Sequence, residues 1–191
     1  LFKPLGMDSG GFRLTPQQQE KLAGMHARLP DGSAVPYPLI VGQEGPLDMG
    51  GHGLYGVLPD YLKFTRMILG GGALDGTRVL EARTVAQMSQ NQMGPLNVQP
   101  MPDAQPYSNA VDWWPGVNCK WGLSFLINEQ RTPQGRSAGS LSWAGLANSY
   151  YWIDPVKKIT GALLTQILPF YDGPVVKLLS QFETAVYQSR A

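Results

Sequence analysis

The sequence predicts an α+β fold: an antiparallel sheet backed by a C-terminal helix, with additional helices and long loops before it. Three observations carry this prediction. Short segments rich in aromatic and β-branched residues follow one another between positions 121 and 166, and their links are too short for anything but antiparallel neighbours. Beyond them, Val175, Leu178, Leu179, Phe182 and Val186 recur at i, i+3, i+4, i+7 and i+11, the spacing of an amphipathic helix laid on one face of that sheet. The 23 glycines and 16 prolines among 191 residues supply turns and surface loops, without the period of a collagen or a linker.

Taken in order, residues 12–49 are polar and Pro-rich and read as irregular covering structure, with a short helix over 16–28 and an extended region over 35–42. Pro59 suits a first helical turn, and Tyr61, Phe64 and Ile68 then recur at i, i+3 and i+7 until Gly70-Gly71-Gly72 stops the helix. Val57-Leu58 offers it no side-chain cap. A second helix is predicted over 81–91, with Val85 and Met88 inward. Residues 91–119 hold Pro95, Pro100, Pro102, Pro106, Pro115 and the pair Trp113-Trp114. A loop of that length lines a site or anchors itself, and the aromatic pair suits both.

Trp121, Leu123, Phe125 and Ile127 alternate with Gly122, Ser124 and Leu126, the period of a strand. Further strands are predicted over 141–145, 149–153 and 159–166, with Asp154-Pro155-Val156-Lys157-Lys158 turning the chain between the last two. Asp172-Gly173-Pro174 opens the final helix.

With 43% apolar and 15% charged residues the chain has the composition of a globular domain, and its length suffices for one sizeable core. A net charge of +1 without a basic run gives no footprint for nucleic acid or a membrane surface. No apolar stretch approaches the roughly 18 residues that a bilayer requires. The expected partner is a small molecule. Cys119 is the single cysteine and reads as a small packed hydrophobe or surface thiol. The only histidines are His26 and His52, there is no G-x-S-x-G elbow, and neither ligand-spaced His and Cys nor a phosphate-binding glycine loop occurs. No metal and no cofactor are expected.

The triplet Trp143-Ala144-Gly145 carries the most chemistry. A bulky residue, a small one and then glycine on a strand edge let a substrate carbonyl lie against backbone amides, because no side chain intervenes. The other reading of such a triplet is a bulge or an edge aromatic. Its surroundings decide between the two: Pro4-Leu5-Gly6-Met7, Gly50-Gly51-His52-Gly53-Leu54 leading to Asp60-Tyr61, Gly76-Thr77-Arg78-Val79-Leu80, Thr84-Val85-Ala86-Gln87-Met88, Trp121-Gly122-Leu123-Ser124-Phe125 and Leu163-Leu164-Thr165-Gln166. In this order they resemble the serine beta-lactamase and penicillin-binding protein superfamily, in particular its class C-like esterases.

That resemblance implies a nucleophilic Ser and its Lys in an S-x-x-K helix, and a Y-x-N loop, all upstream of the segment that begins here at Pro4. None of the 11 serines of this chain is followed three positions on by Lys. Tyr107-Ser108-Asn109 matches Y-x-N by letter but stands far downstream of its place and reads as coincidence. Residues 1–191 are therefore expected to be the C-terminal part of such a domain, with no catalytic residue of their own and Trp143, Ala144, Gly145 and Leu146 as substrate-binding residues. Trp143 stands where lactamases and peptidases of the family have Lys, which favours neutral esters over substrates with a carboxylate. The Leu146 amide is the candidate second oxyanion donor.

The function expected of the complete protein is hydrolysis of an ester, or of a lactam or amide, through an acyl-enzyme in the cytoplasm or periplasm of a bacterium. The alternative is a non-catalytic relative that binds a ligand or a partner. The sheet edge and helix face that the N-terminal part covers in the family would stay open here, so a retained N-terminal fragment or a second copy of the chain is an expected partner.

Overall fold

The computed structural model describes residues 1–39 and 45–190. The chain enters through α1 (Phe2–Leu5), closed by Gly6 in the left-handed conformation, and reaches α2 (Pro16–Gln19). Thr15 caps α2 reciprocally: its hydroxyl accepts from the Gln18 amide at 3.3 Å, while its own amide donates to the Gln18 side chain at 2.9 Å. The helix expected over 16–28 stops there after one turn. The remainder becomes β1 (His26–Arg28), because the His26 amide donates to Gln166 O at 2.9 Å and a non-local pairing overrides local propensity. The strand β2 (Ala34–Pro36) pairs antiparallel with β1, and residues 40–42 of the predicted extended region lie outside the described residues.

The helix α3 (Leu58–Leu69) has Pro59 in its first turn and Val57 as an N-cap without a side-chain hydrogen bond, as expected. Asp60 compensates in that turn: it is 5% exposed, accepts from the Ser9 amide at 2.9 Å and pairs with Lys63 at 2.8 Å. Gly72, at φ 94, passes so close to the chain that a Cβ there would lie 2.1 Å from Leu80 O. The hairpin of β3 (Ala73–Leu74) and β4 (Thr77–Arg78) turns through Asp75 and Gly76, both at positive φ, the residue pair that a two-residue hairpin favours. The short helix α4 (Ala82–Met88) buries Val85.

The alternating run around Trp121 is two strands, not one. After β5 (Cys119–Trp121) the chain turns at Gly122-Leu123-Ser124 and returns antiparallel as β6 (Leu126–Asn128). Gly122 rests against Met88 O, where a Cβ would sit at 2.1 Å, and Ser124 adopts φ 82. Phe125, Leu126 and Ile127 are all buried, so the period-2 pattern misled: both faces of β6 are covered. Next come β7 (Leu141–Gly145), β8 (Ser149–Asp154) and β9 (Ile159–Leu163), with the expected turn at 154–158 and Lys158 at φ 56. The strand predicted over 159–166 ends at Leu163, and just past the predicted range the chain pairs separately as β10 (Ile167–Leu168), parallel to β1.

The main sheet has the order β5-β6-β7-β8-β9, antiparallel throughout, and β10-β1-β2 form a smaller mixed sheet. Helix α5 (Gly173–Gln188) is capped by Asp172, whose carboxylate accepts from the Val175 amide at 3.3 Å. Alternation along β8 divides the core. Ile153 joins Leu141, Phe125, Met67 and Ile68 under α3, whereas Tyr150 and Trp152 join Val175, Leu179 and Tyr187 under α5. The buried face of α5 is thus Val175, Leu179, Glu183 and Tyr187. Two members of the predicted apolar stripe, Leu178 and Phe182, are 50% and 39% exposed, because the helix turns a buried glutamate inward. Among the described residues no helix is long and apolar enough to cross a membrane.

Candidate functional site

The strand β7 carries the predicted triplet at its end, and its surroundings give that end an open side. Residues Leu141 through Gly145 pair with β8 along their whole length, whereas β6 pairs with β7 only through Leu126↔Ser142 and Ile127↔Leu141. Past Ser142, therefore, Trp143, Ala144 and Gly145 extend beyond their β6 neighbour. The backbone there is unladdered on that side, which is the condition for adding a strand at an exposed edge. Gly145 is exposed and Leu146 is 52% exposed, so the backbone that would face a carbonyl is accessible.

The turn that follows is anchored from inside by Asn148, which is fully buried at φ 61. Its Nδ2 donates to Ile167 O and Pro169 O, both at 2.8 Å, and its Oδ1 accepts from the Tyr150 hydroxyl at 2.7 Å and the Asp172 amide at 3.0 Å. Thr165 adds bonds from its hydroxyl to Ala147 O at 2.9 Å and Asn148 O at 2.8 Å. Four elements, β7, β8, β10 and the start of α5, are thereby tied to the turn carrying Leu146. Donors aimed at developing charge work when they are held before the reaction begins. Nothing in the sequence pattern singled out Asn148; a non-glycine residue in a turn beside the triplet was the only available signal.

The Trp143 indole does not stand free. Its centroid lies 4.5 Å from that of Trp121 and 5.6 Å from that of Trp113, and Trp113 also touches Phe170 and Tyr171. The long loop over 91–119 thus delivers Trp113-Trp114 to the triplet and anchors itself by the same contacts. Tyr151, the register partner of Trp143 across the ladder, meets Tyr61 with ring centroids 5.3 Å apart. Burial pushes the Tyr61 phenol up to about 12 and raises that of Tyr151 as well, so both stay protonated donors at neutral pH.

Between α5 and the sheet lies a cavity of about 60 Å³ walled by Trp113, Trp114, Trp143, Tyr150 and Leu179. Arg136 and Glu183 form its floor as a buried bidentate pair: Nε donates to Oε2 at 2.8 Å and Nη2 donates to Oε1. The guanidinium carbon lies 5.0 Å from the Trp114 ring centroid and 5.3 Å from that of Trp152. Sequence reading missed this pair, since 47 positions separate its members and Glu183 sits in a helix read as apolar on that side.

The remaining sequence features take structural places. Asn109 donates from its amide to Phe170 O at 3.0 Å and from its side chain to Tyr171 O at 3.2 Å, so Tyr107-Ser108-Asn109 fastens the loop. Cys119 is buried, and burial reinforced by Asp112 pushes its thiol up to about 11, which leaves it unreactive. His26 lies in β1, and His52 is exposed. Among the described residues no three His, Cys, Asp or Glu side chains are grouped to hold a metal ion.

Residues 1–184 match the family model Beta-lactamase. The chain belongs to the beta-lactamase family. Its curated relatives include Protein Rv1367c and Uncharacterized protein MT1414 of Mycobacterium tuberculosis, each 27% identical over 180 residues that cover 87% of this chain and 41% of the relative. Among solved structures, a LovD6 mutant of simvastatin synthase from Aspergillus terreus superposes with a TM-score of 0.81 at 23% identity, over 99% of this chain and 48% of that one. EstCE1, a hydrolase with promiscuous acyltransferase activity, gives a TM-score of 0.67 at 21% identity, over 98% and 48% of the two chains. A penicillin-binding protein homologue from Caulobacter crescentus gives 0.57 at 18%, over 96% and 50%. At these identities the structures establish the beta-lactamase fold, and the chain spans about half the length of each of these relatives.

Proposed function

We propose that this chain forms the substrate-facing wall of a beta-lactamase-family serine hydrolase that acts on esters, with the nucleophile supplied by a segment upstream of Leu1. The carrying observation is the unladdered end of β7, where Trp143, Ala144 and Gly145 extend past β6. In this reading a serine oxygen from the upstream segment attacks the ester carbonyl carbon. The carbonyl electrons move onto oxygen as the backbone at Leu146 donates to it, then return to break the bond to the alcohol, which leaves with the proton given up by the serine hydroxyl. Water or a second alcohol then takes the acyl group from the serine. One oxyanion donor of this kind is worth about 3 kcal/mol of barrier. Trp143 brings an apolar face and one N–H in place of a cation, which suits a neutral ester. The hydrolase with acyltransferase activity and the synthase among its fold neighbours agree with acyl-transfer chemistry.

In the same reading the upstream segment, or failing it a second copy of the chain, packs against the exposed Leu178 and Phe182 and the outer edge of β9. The second function, a non-catalytic binding relative, draws on the absence of any Ser followed by Lys at the third position within these 191 residues. One experiment separates them. The chain alone and the chain joined to its upstream coding segment are treated with a fluorophosphonate probe and assayed with nitrophenyl esters. The expected result is no labelling or turnover alone, and labelling with turnover when the upstream segment is present. Labelling of any serine within residues 1–191 overturns the division of labour, and an inert complete protein overturns the hydrolase in favour of the binding relative.

A further inference from the structure

Arg28 reaches the turn behind Trp143-Ala144-Gly145 from the far end of the chain. From β1 its guanidinium donates to both oxygens of the Asp172 carboxylate, Nε to Oδ1 at 2.8 Å and Nη2 to Oδ2 at 2.9 Å, while Nη1 donates to Gly32 O at 2.9 Å in the turn of its own hairpin. All three nitrogens are committed, so the planar fork has one orientation. Asp172 is 3% exposed at its side chain and uses the same carboxylate to cap α5. Its amide donates to Asn148 Oδ1 at 3.0 Å. Asn148 in turn holds Ile167 O and Pro169 O, and the Ile167 amide donates to Ala147 O at 3.2 Å. A continuous set of contacts thus runs from the β1–β2 hairpin through Asp172 and Asn148 to the residue beside Leu146.

From this we infer that Arg28 is a positioning residue: by fixing Asp172 it holds Asn148, and through Asn148 the backbone at Leu146 that receives the substrate carbonyl. The consequence for turnover rests on the hydrolase reading above, whereas the hold on the turn does not. The physical reason is the burial of Asp172. Without its bidentate partner this carboxylate keeps, among the described residues, the Val175 amide at 3.3 Å, and an unpaired buried charge is costly. The relief open to it is to move toward water, and the segment from Pro169 to Asp172 that would move with it bears two of the four partners of Asn148. The ladder of β1 on β10, His26↔Ile167 and Ala27↔Leu168, does not use the guanidinium, so the hairpin stays docked and the loosening is local. A fully exposed ion pair would do none of this, since water replaces it at little cost.

The test compares the parent with Arg28→Ala and Arg28→Lys, each in the chain joined to its upstream coding segment, by amide hydrogen exchange and by nitrophenyl ester kinetics. In Arg28→Ala, exchange at the Asn148, Ile167 and Asp172 amides should rise by about tenfold or more relative to amides of the β8–β9 ladder, as the loss of a charged bidentate pair opens the turn locally. In the same variant kcat should fall by about tenfold with KM within about twofold, because substrate still meets Trp143 while the donor is no longer held. Arg28→Lys keeps the charge and one bond, so both effects should be smaller, and this variant carries the test should Arg28→Ala not fold. Exchange that rises equally at the turn and in the β8–β9 ladder would mean that Arg28 serves global stability alone, and unchanged exchange would mean that it holds nothing; either overturns the inference. A loosened turn with kcat unchanged overturns it as well. A parent inert toward esters overturns the hydrolase reading instead, and exchange at the three amides then decides by itself whether Arg28 positions the turn.

Discussion

Replacing Asn148 by Ala tests whether the turn behind Trp143-Ala144-Gly145 is held from within. The side chain is fully buried and makes four hydrogen bonds, to Ile167 O, Pro169 O, the Tyr150 hydroxyl and the Asp172 amide. Truncation to a methyl group leaves all four partners in the interior. At about 1 kcal/mol for each, the loss is about 4 kcal/mol. The backbone adds a second contribution: φ is 61 here, and a left-handed Ala costs about 1 kcal/mol more than a residue at ease in that region. A total of about 5 kcal/mol is a large share of the stability of a domain, and at this size it lowers the unfolding midpoint by about 10–20 °C. Asn148→Gly loses the same bonds without the strain and should be milder by about 1 kcal/mol. Thermal unfolding followed by circular dichroism on the purified variants measures both. A loss below about 2 kcal/mol for Asn148→Ala, or an Ala variant as stable as the Gly variant, would refute the reasoning. On the proposed reading, in the chain joined to its upstream coding segment the same loosening should lower kcat more than it raises KM, because the backbone at Leu146 would no longer be held in advance.

Three further outcomes are expected. Trp143→Lys in the complete protein should shift relative rates toward substrates bearing a carboxylate and slow neutral esters, read from paired kcat/KM values; unchanged ratios would remove Trp143 from the substrate wall. Gly161→Ala should destabilise by about 2 kcal/mol, because its Cβ would lie 2.3 Å from the ring of the fully buried Trp152, and a denaturant midpoint equal to the parent's would contradict that overpacking. The Asp154 carboxyl would be raised by burial, yet bonds from the Lys157 and Ser137 amides and the Tyr187 hydroxyl outweigh this and hold it below its ordinary value. Its stabilisation is therefore complete above the unfolded pKa of about 4 and fades as pH falls through the lower folded value. The stability gap between the parent and Asp154→Asn should accordingly shrink from pH 5 downward in pH-dependent melts, roughly over two units, and a constant gap would count against it.

Local chemistry was legible wherever the chain's neighbours in sequence are also its neighbours in space. Pro59 and the three glycines bound α3 as read, and Asp172 caps α5 where Asp172-Gly173-Pro174 indicated its start. The strands β7, β8 and β9 lie where their apolar runs and the 154–158 turn indicated. The family could be read for a related reason: its motifs are short backbone devices, such as a glycine at the end of a strand, that leave their mark in consecutive letters.

What tertiary structure alone decided are the features whose partners are distant in sequence. The stretch over 16–28 has helical spacing but gives up its second half to β1, because Gln166 and β10 offer it a ladder. The alternation around Trp121 conceals a hairpin, since Met88 O occupies the space beside Gly122 and α3 with its surroundings covers the remaining face. Glu183 turns inward and Leu178 outward because the partner of Glu183 is Arg136, and an ion pair formed across 47 positions outweighs an apolar stripe. The open side of β7 is of the same kind. It exists only because β6 begins at Leu126, opposite Ser142, and where a neighbouring strand starts or ends is a property of packing rather than of the triplet it leaves exposed.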